Sequence, residues 1–223
     1  MVQKTVSSKR GALKLPGADM ASAPKRRGRP RAYEPDVALG KALDLFRRDG
    51  FAATSLDDLS AATGMNRPSL YGAFGDKREL FIKTYERYRA DARAAMQDVF
   101  KGEWPIRQRL KRIYMVALDI YLAGEGGPRG CFTVMTAGSE AMADPDIRRM
   151  VLDGLSELDK AFASSFRIAK EKGELPDSAD SAALAQLASA TIHTIAVRAR
   201  AGVPRGELEA IVKSAIDLMC GSH

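Results

Sequence analysis

Cysteine and histidine are nearly absent from this chain: Cys131, Cys220, His193 and His223 are all that its 223 residues contain. Two cysteines so far apart build no disulfide framework. The four residues together have no chelating spacing, so no metal site is expected. Long apolar runs are missing too. No stretch approaches the ~18 residues that cross a bilayer, and the first residues lack the apolar segment of a secretory leader. A reducing cytoplasm, away from membranes, is the expected setting. The loops that carry much enzyme chemistry are also lacking. There is no glycine-rich phosphate cradle, no H-E-x-x-H pair and no nucleophile elbow, since Gly138-Ser139-Glu140 does not form one. A thiol–imidazole pair of Cys131 and His193 would lack the third group that orients it. The expectation is a protein that is not an enzyme and uses no cofactor.

What the chain has is charge, unevenly placed. Its formal net charge is +7. Residues 1–32 hold nine Lys or Arg against Asp19 alone, a net +8, which leaves the remainder at −1. The basic balance therefore describes a tail rather than a body. That tail lacks hydrophobic periodicity and is expected to be disordered when free. Within it Arg27, Gly28, Arg29, Pro30 and Arg31 resemble an AT-hook. Extended arginines suit the concentrated negative potential of a narrow A·T minor groove. Gly28 leaves the backbone unobstructed and Pro30 keeps it extended. The competing reading is a solvated basic leader that touches phosphates without preference.

The densest pattern lies at residues 54–77, TSLDDLSAATGMNRPSLYGAFGDK. Ser55 offers an N-cap to a helix carrying Leu56, Leu59 and Ala62. Gly64 breaks that helix and supplies the positive φ of a tight turn. Asn66 is a second N-cap, and Pro68 falls in the first turn, where a missing N–H costs nothing. Leu70 and Phe74 share one face at i, i+4. Arg67, Ser69, Tyr71 and Gly72 then face outward. The organisation is that of a helix-turn-helix, whose second helix a major groove accepts; spacing alone leaves an ordinary helical hairpin equally open.

With Ala42, Phe46, Gly50 and Phe51 before it and Asp76, Lys77, Leu80 and Phe81 after it, this stretch resembles the DNA-binding domain of the TetR family of transcriptional repressors over roughly residues 35–85. The resemblance implies an all-α protein: a disordered basic arm (1–32), a three-helix helix-turn-helix domain (33–80) and a six-helix effector-binding and dimerisation domain (81–223). It implies a homodimer on a palindromic double-stranded DNA operator, released by a small-molecule effector of unknown identity. Arg67 is then the base reader, because bidentate Arg–guanine pairing is the commonest specific contact. Pro68 and Ser69 lie beside it, and Gly72 lets backbone approach. Tyr71 is assigned to a phosphate, as are Ser55 and Lys77 at the starts of flanking helices. The competing readings are that Ser55 only caps, Lys77 is only solvated and Tyr71 packs its ring. An architectural protein that coats A·T-rich DNA is the rival function, motivated by the tail.

Apolar periodicity places further helices at 36–48, 76–100, 106–122, 131–142, 145–173, 178–201 and 204–220, nine in all, and no strand. The back half suits a small-molecule pocket between helices. Its candidates are Trp104, Tyr114, Leu118, Tyr121, Phe132, Met135, Phe162, Phe166 and His193, with core packing the competing reading for each. Cys131 is weighed separately: Arg129 and a helix start beside it favour thiolate and a sensing role, whereas a buried filler is the alternative. Residues 178–220, rich in Ala and Leu, are expected to pair across a two-fold axis, as the family's final helices do.

Overall fold

The computed structural model describes Met1 and residues 34–221. The basic arm with Arg27, Gly28, Arg29 and Arg31 lies outside the described residues. Among the described residues the chain is helical throughout, with no strand. No described helix is long and apolar enough to cross a membrane.

Of the first three helices, the second and third are short and start on explicit side-chain caps. Helix α1 spans Pro35–Asp49, α2 Leu56–Thr63 and α3 Arg67–Phe74. Ser55 and Asp58 form a reciprocal capping box at the start of α2, and Gly64 at φ 72° ends it in the left-handed conformation. The Asn66 side chain accepts from Ser69 N at the start of α3. Such caps contribute about 1 kcal/mol each, which matters for eight-residue helices that would not form alone. Ala42, Phe46, Leu59, Met65, Leu70 and Phe74 are buried between these helices. They close on Leu80 and Phe81 of α4 (Lys77–Lys101), which Asp76 and Glu79 start with a second capping box.

Behind α4 come α5 (Ile106–Leu122), α6 (Phe132–Gly138), α7 (Glu140–Ala143), α8 (Pro145–Glu171), α9 (Ser181–Arg200) and α10 (Arg205–Cys220). Helices α5, α8, α9 and α10 pack against one another, and α4 lies against α1, α5 and α8. The helix expected over 131–142 is divided, so seven helices stand behind the first three. Ser139 breaks it at φ −131° and ψ −77°, and its hydroxyl donates to Met135 O at 3.2 Å. A glycine followed by a serine that bonds the preceding turn removes both propensity and register. Helix α9 starts at Ser181 rather than 178 because Asp180 Oδ1 accepts from both Ala182 N and Ala183 N.

Two features tie the first three helices to the rest. One is an aromatic seam. Phe46 lies edge-on to Phe81 (5.2 Å between centroids), Phe81 to Phe132 (5.3 Å) and Tyr88 to Phe132 (5.8 Å). The other is an arginine clasp. Arg47 Nη2 donates to Ile120 O and Gly130 O, both at 3.0 Å. Arg200 Nη1 donates to Arg47 O at 2.7 Å and Arg129 O at 3.0 Å, and its Nη2 to Arg48 O at 3.0 Å. Arg129, 3% exposed, pairs with Asp44 at 3.0 Å. The carbonyls at the end of α1 have no helical partners of their own, and the end of α9 supplies them. Gly130 makes this approach possible: it has φ +65°, and a Cβ there would sit 2.9 Å from Ala196 O.

Candidate nucleic-acid interface and interior cavity

The second short helix presents a polar face. Arg67, Pro68, Tyr71 and Gly72 are exposed and Ser69 is half-buried. The Tyr71 ring is 47% exposed rather than packed. Nothing lies within 4 Å of where a Gly72 side chain would start, so backbone there is open to approach. Arg67 is already engaged. Its Nε donates to Asp57 Oδ1 at 3.1 Å and its Nη2 to Oδ2 at 2.7 Å. Asp57 belongs to the first turn of α2, so this fork bridges the two helices across their turn, and it holds the guanidinium firmly charged. Ser55 Oγ accepts from Asp58 N and donates to Asp58 Oδ2, which is the capping alternative. Lys77 Nζ lies 4.3 Å above the Phe51 ring, a cation–π contact, and partial burial lowers its pKa.

A cavity of about 560 Å³ opens between α4, α5 and α8, within the ~300–1,000 Å³ of small-molecule sites. Its walls are mostly apolar, with Ala92, Met96, Phe100, Leu158, Ala161 and Ile192. At one end Tyr88 Oη donates to Cys131 Sγ at 3.5 Å. Burial, then the neighbouring thiol, pushes the Tyr88 and Tyr121 phenols up, so both stay protonated. Arg89, Arg93, Gln97, Lys101 and Glu157 also line the cavity. Glu157 Oε2 meets Arg89 Nη2 and Arg93 Nη2, each at 2.8 Å. Arg93, then Arg89, holds that carboxyl below its usual range.

Two of the ten expected pocket residues, Tyr121 and Cys131, line this cavity. The rest lie elsewhere. Tyr114, Leu118, Phe132, Phe162 and Phe166 are fully buried core. Tyr114 donates its hydroxyl to Ala188 O, and Phe132 belongs to the aromatic seam. Trp104 stacks under Arg112 at 3.7 Å. Met135 and His193 are half-buried off the cavity, and burial lowers the histidine pKa. Large aromatics gain most by full burial, about 1.5–3 kcal/mol each, and so fill the space rather than bound it. The arginine expected beside the thiol also differs. Arg129 turns to Asp44, and Arg47, 5.2 Å from the Tyr88 ring centroid, is the cation on that side. Tyr88, Arg89, Met96, Gly154 and Glu157 were not among the expected pocket residues. The i, i+4 pair Arg89/Arg93 beside the apolar stripe of α4 reads as an ordinary solvated face and does not single them out.

The fold agrees with comparisons to known proteins. A family model described as bacterial regulatory proteins, tetR family, matches residues 38–84, and one described as tetracyclin repressor-like, C-terminal domain, matches residues 107–215. The chain is 30% identical over 196 residues to the HTH-type transcriptional repressor ComR of Escherichia coli (strain K12), covering 87% of this chain and 92% of that protein. It is 31% identical over 171 residues to the transcriptional regulator AcuR of Cereibacter sphaeroides, covering 72% and 76%. Among solved structures, a cysteine mutant of the TetR family transcriptional regulator CifR, complexed with 26bp double-strand operator DNA, is similar. Its TM-score is 0.77 at 29% identity, over 86% of this chain and 100% of that one.

Proposed function

The chain belongs to the TetR family of bacterial regulatory proteins, and from that premise we propose that it is a DNA-binding transcriptional repressor, dimeric on a palindromic operator and released when a small molecule enters the cavity. The observation that carries this reading is the double duty of α4. Residues Lys77–Phe81 at its start support α1 and α3, and Tyr88–Lys101 further along form a wall of the cavity. A ligand that shifts this wall shifts the seat of the recognition helix, so occupancy and DNA geometry share one element.

In this reading Arg67 leaves Asp57 for a guanine edge, Tyr71 and Lys77 take phosphates, and the charge-assisted fork is exchanged rather than created. The arm adds minor-groove contacts through Arg27 and Arg29. The dimer forms through α9 and α10. Ala183, Leu187, Ala190, Thr194 and Val197 recur at alternating four- and three-residue steps on the exposed side of α9, and Leu218 is exposed on α10. That spacing is the seam of a helix pair.

Footprinting on the DNA flanking its own gene tests the proposal. The expected result is a protected two-fold sequence, bound by two protomers that sediment as one species. Leu187→Glu combined with Val197→Glu should give a folded monomer with greatly weakened binding. A protein that coats A·T-rich DNA without a defined boundary is architectural instead. Removing residues 1–32 should flatten the slope of log affinity against log salt by ~0.9 per lost phosphate contact; an unchanged slope makes the arm a passive leader.

A further inference from the structure

The cavity has a charged end and an apolar interior, and the charged end is built around one arginine. Arg89 is half-buried, its side chain 18% exposed. Its Nη1 donates to Met150 O at 3.2 Å, which fixes the guanidinium against α8. Opposite it stands Gly154, in the middle of the 27-residue helix α8. A glycine there costs roughly 0.5–1 kcal/mol relative to alanine, with no turn or positive φ to require it. What it does is leave room: a Cβ would lie 3.3 Å from Arg89 Nε and 3.6 Å from Cζ. The helix gives up stability where the guanidinium reaches the cavity.

Two cations, Arg89 and Arg93, stand one turn apart here, with Lys101 about 18 Å further along α4, and Glu157 is the one carboxylate among the lining residues. Its side chain is 53% exposed and the Arg93 side chain 63%. Glu157 is thus the mobile partner: its pair with Arg93 is weak because both are solvated, and a rotamer change leaves the less exposed Arg89 fork to an incoming carboxylate. Beyond it, Ala92, Met96, Phe100, Leu158 and Ala161 are apolar, and Tyr88, Gln97, Tyr121 and Thr133, which also line the cavity, carry no charge to pair with a second charged group.

We propose that the cavity takes an organic anion with a single head, a carboxylate on an apolar chain or ring, and that Arg89 receives the head in place of Glu157. The apolar body lies along α4 and α8. This rests on the reading that the cavity is the effector site, and it supplies the class of effector. An uncharged analogue fills the same space without the charge-assisted fork, and a cationic one meets the like charges of Arg89 and Arg93.

Calorimetry on the full chain with three probes of one chain length, decanoate, decanol and decylamine, tests both statements separately. Decanoate should bind at least about tenfold tighter than decanol, the difference one retained charge-assisted contact makes, with decylamine weakest. Arg89→Gln should bring decanoate down to the decanol level and leave decanol unchanged. Glu157→Gln should tighten decanoate alone. Gly154→Ala should raise the melting temperature yet weaken decanoate, an opposition that a purely structural glycine would not produce. Equal binding of acid and alcohol, or a preference that survives Arg89→Gln, overturns the anion assignment while leaving the cavity as the site. Ala161→Trp fills the cavity. If it leaves binding of all three probes intact, or if none binds the wild type, the cavity reading falls and the anion assignment with it.

Discussion

On α3, Arg67 keeps its fork on Asp57 in full view of solvent; behind α1, Arg47, Arg129 and Arg200 spend theirs on backbone carbonyls and on Asp44. The two groups have the same chemistry and opposite consequences. An exposed bidentate pair gains little Coulomb energy in water and is readily exchanged for another anion. Arg129, buried on Asp44 and on backbone carbonyls, has no comparable alternative, because opening it strands polar groups of both partners. Arg47 and Arg200, more exposed, extend that clasp to the carbonyls around it. The charge on α3 is held in place but available, whereas the Arg129 charge joining the first helices to the body is committed.

Three substitutions break or sharpen that distinction. The largest effect is expected from Arg129→Met, which removes the most buried arginine of the clasp. It should cost about 2–4 kcal/mol in urea denaturation, less than a fully buried pair because Asp44 is partly exposed. A loss below about 0.5 kcal/mol, the range of ordinary surface changes, would place the clasp in the same class as Arg67. Arg67→Ala should do the reverse. Folding stability stays within about 0.5 kcal/mol, while operator affinity falls by about 1–3 kcal/mol and preference relaxes at one position of each half-site. Binding measured against every substitution in the operator checks it, and an unchanged preference removes Arg67 as a base reader. The smallest effect is expected from Asp57→Asn, which frees the fork in advance. Operator affinity should rise by up to about fivefold, the worth of an exposed pair, with stability little changed. Weaker binding would mean that Asp57 aims Arg67 rather than merely parking it.

The same two regions differ in how far they could be read from residues alone. Ser55, Gly64, Asn66, Pro68 and Asp76 are local signals, each acting within four residues, and the structure uses each at its expected place. The cavity has no such signal. Its walls are set by where volume is missing, at Ala92, Gly154 and Ala161, and small residues on a helix do not declare what faces them. The aromatic residues that looked like a pocket, Tyr114, Phe162 and Phe166 among them, fill the core instead. Gly138-Ser139 was a local signal that the apolar spacing on either side concealed. The clasp lay beyond reach for another reason: its bonds join residues 71 to 153 positions apart in the chain, and nothing in the spacing of Arg47, Arg129 and Arg200 announces that they meet.

Helix α4 can also be considered as a lever. Its 25 residues make a rod of about 37 Å at 1.5 Å per residue. With its far end held near Lys101, Ala92 stands about 14 Å from the fulcrum and Lys77 about 36 Å. A ligand that pushes the wall outward by ~1 Å at Ala92 therefore carries Lys77 through nearly ~3 Å, by the ratio of those two arms. Hydrogen bonds to bases tolerate only a few tenths of an ångström. In the proposed release, the length of α4 therefore carries a push at the cavity wall to the seat of α3 without any contact between ligand and α3.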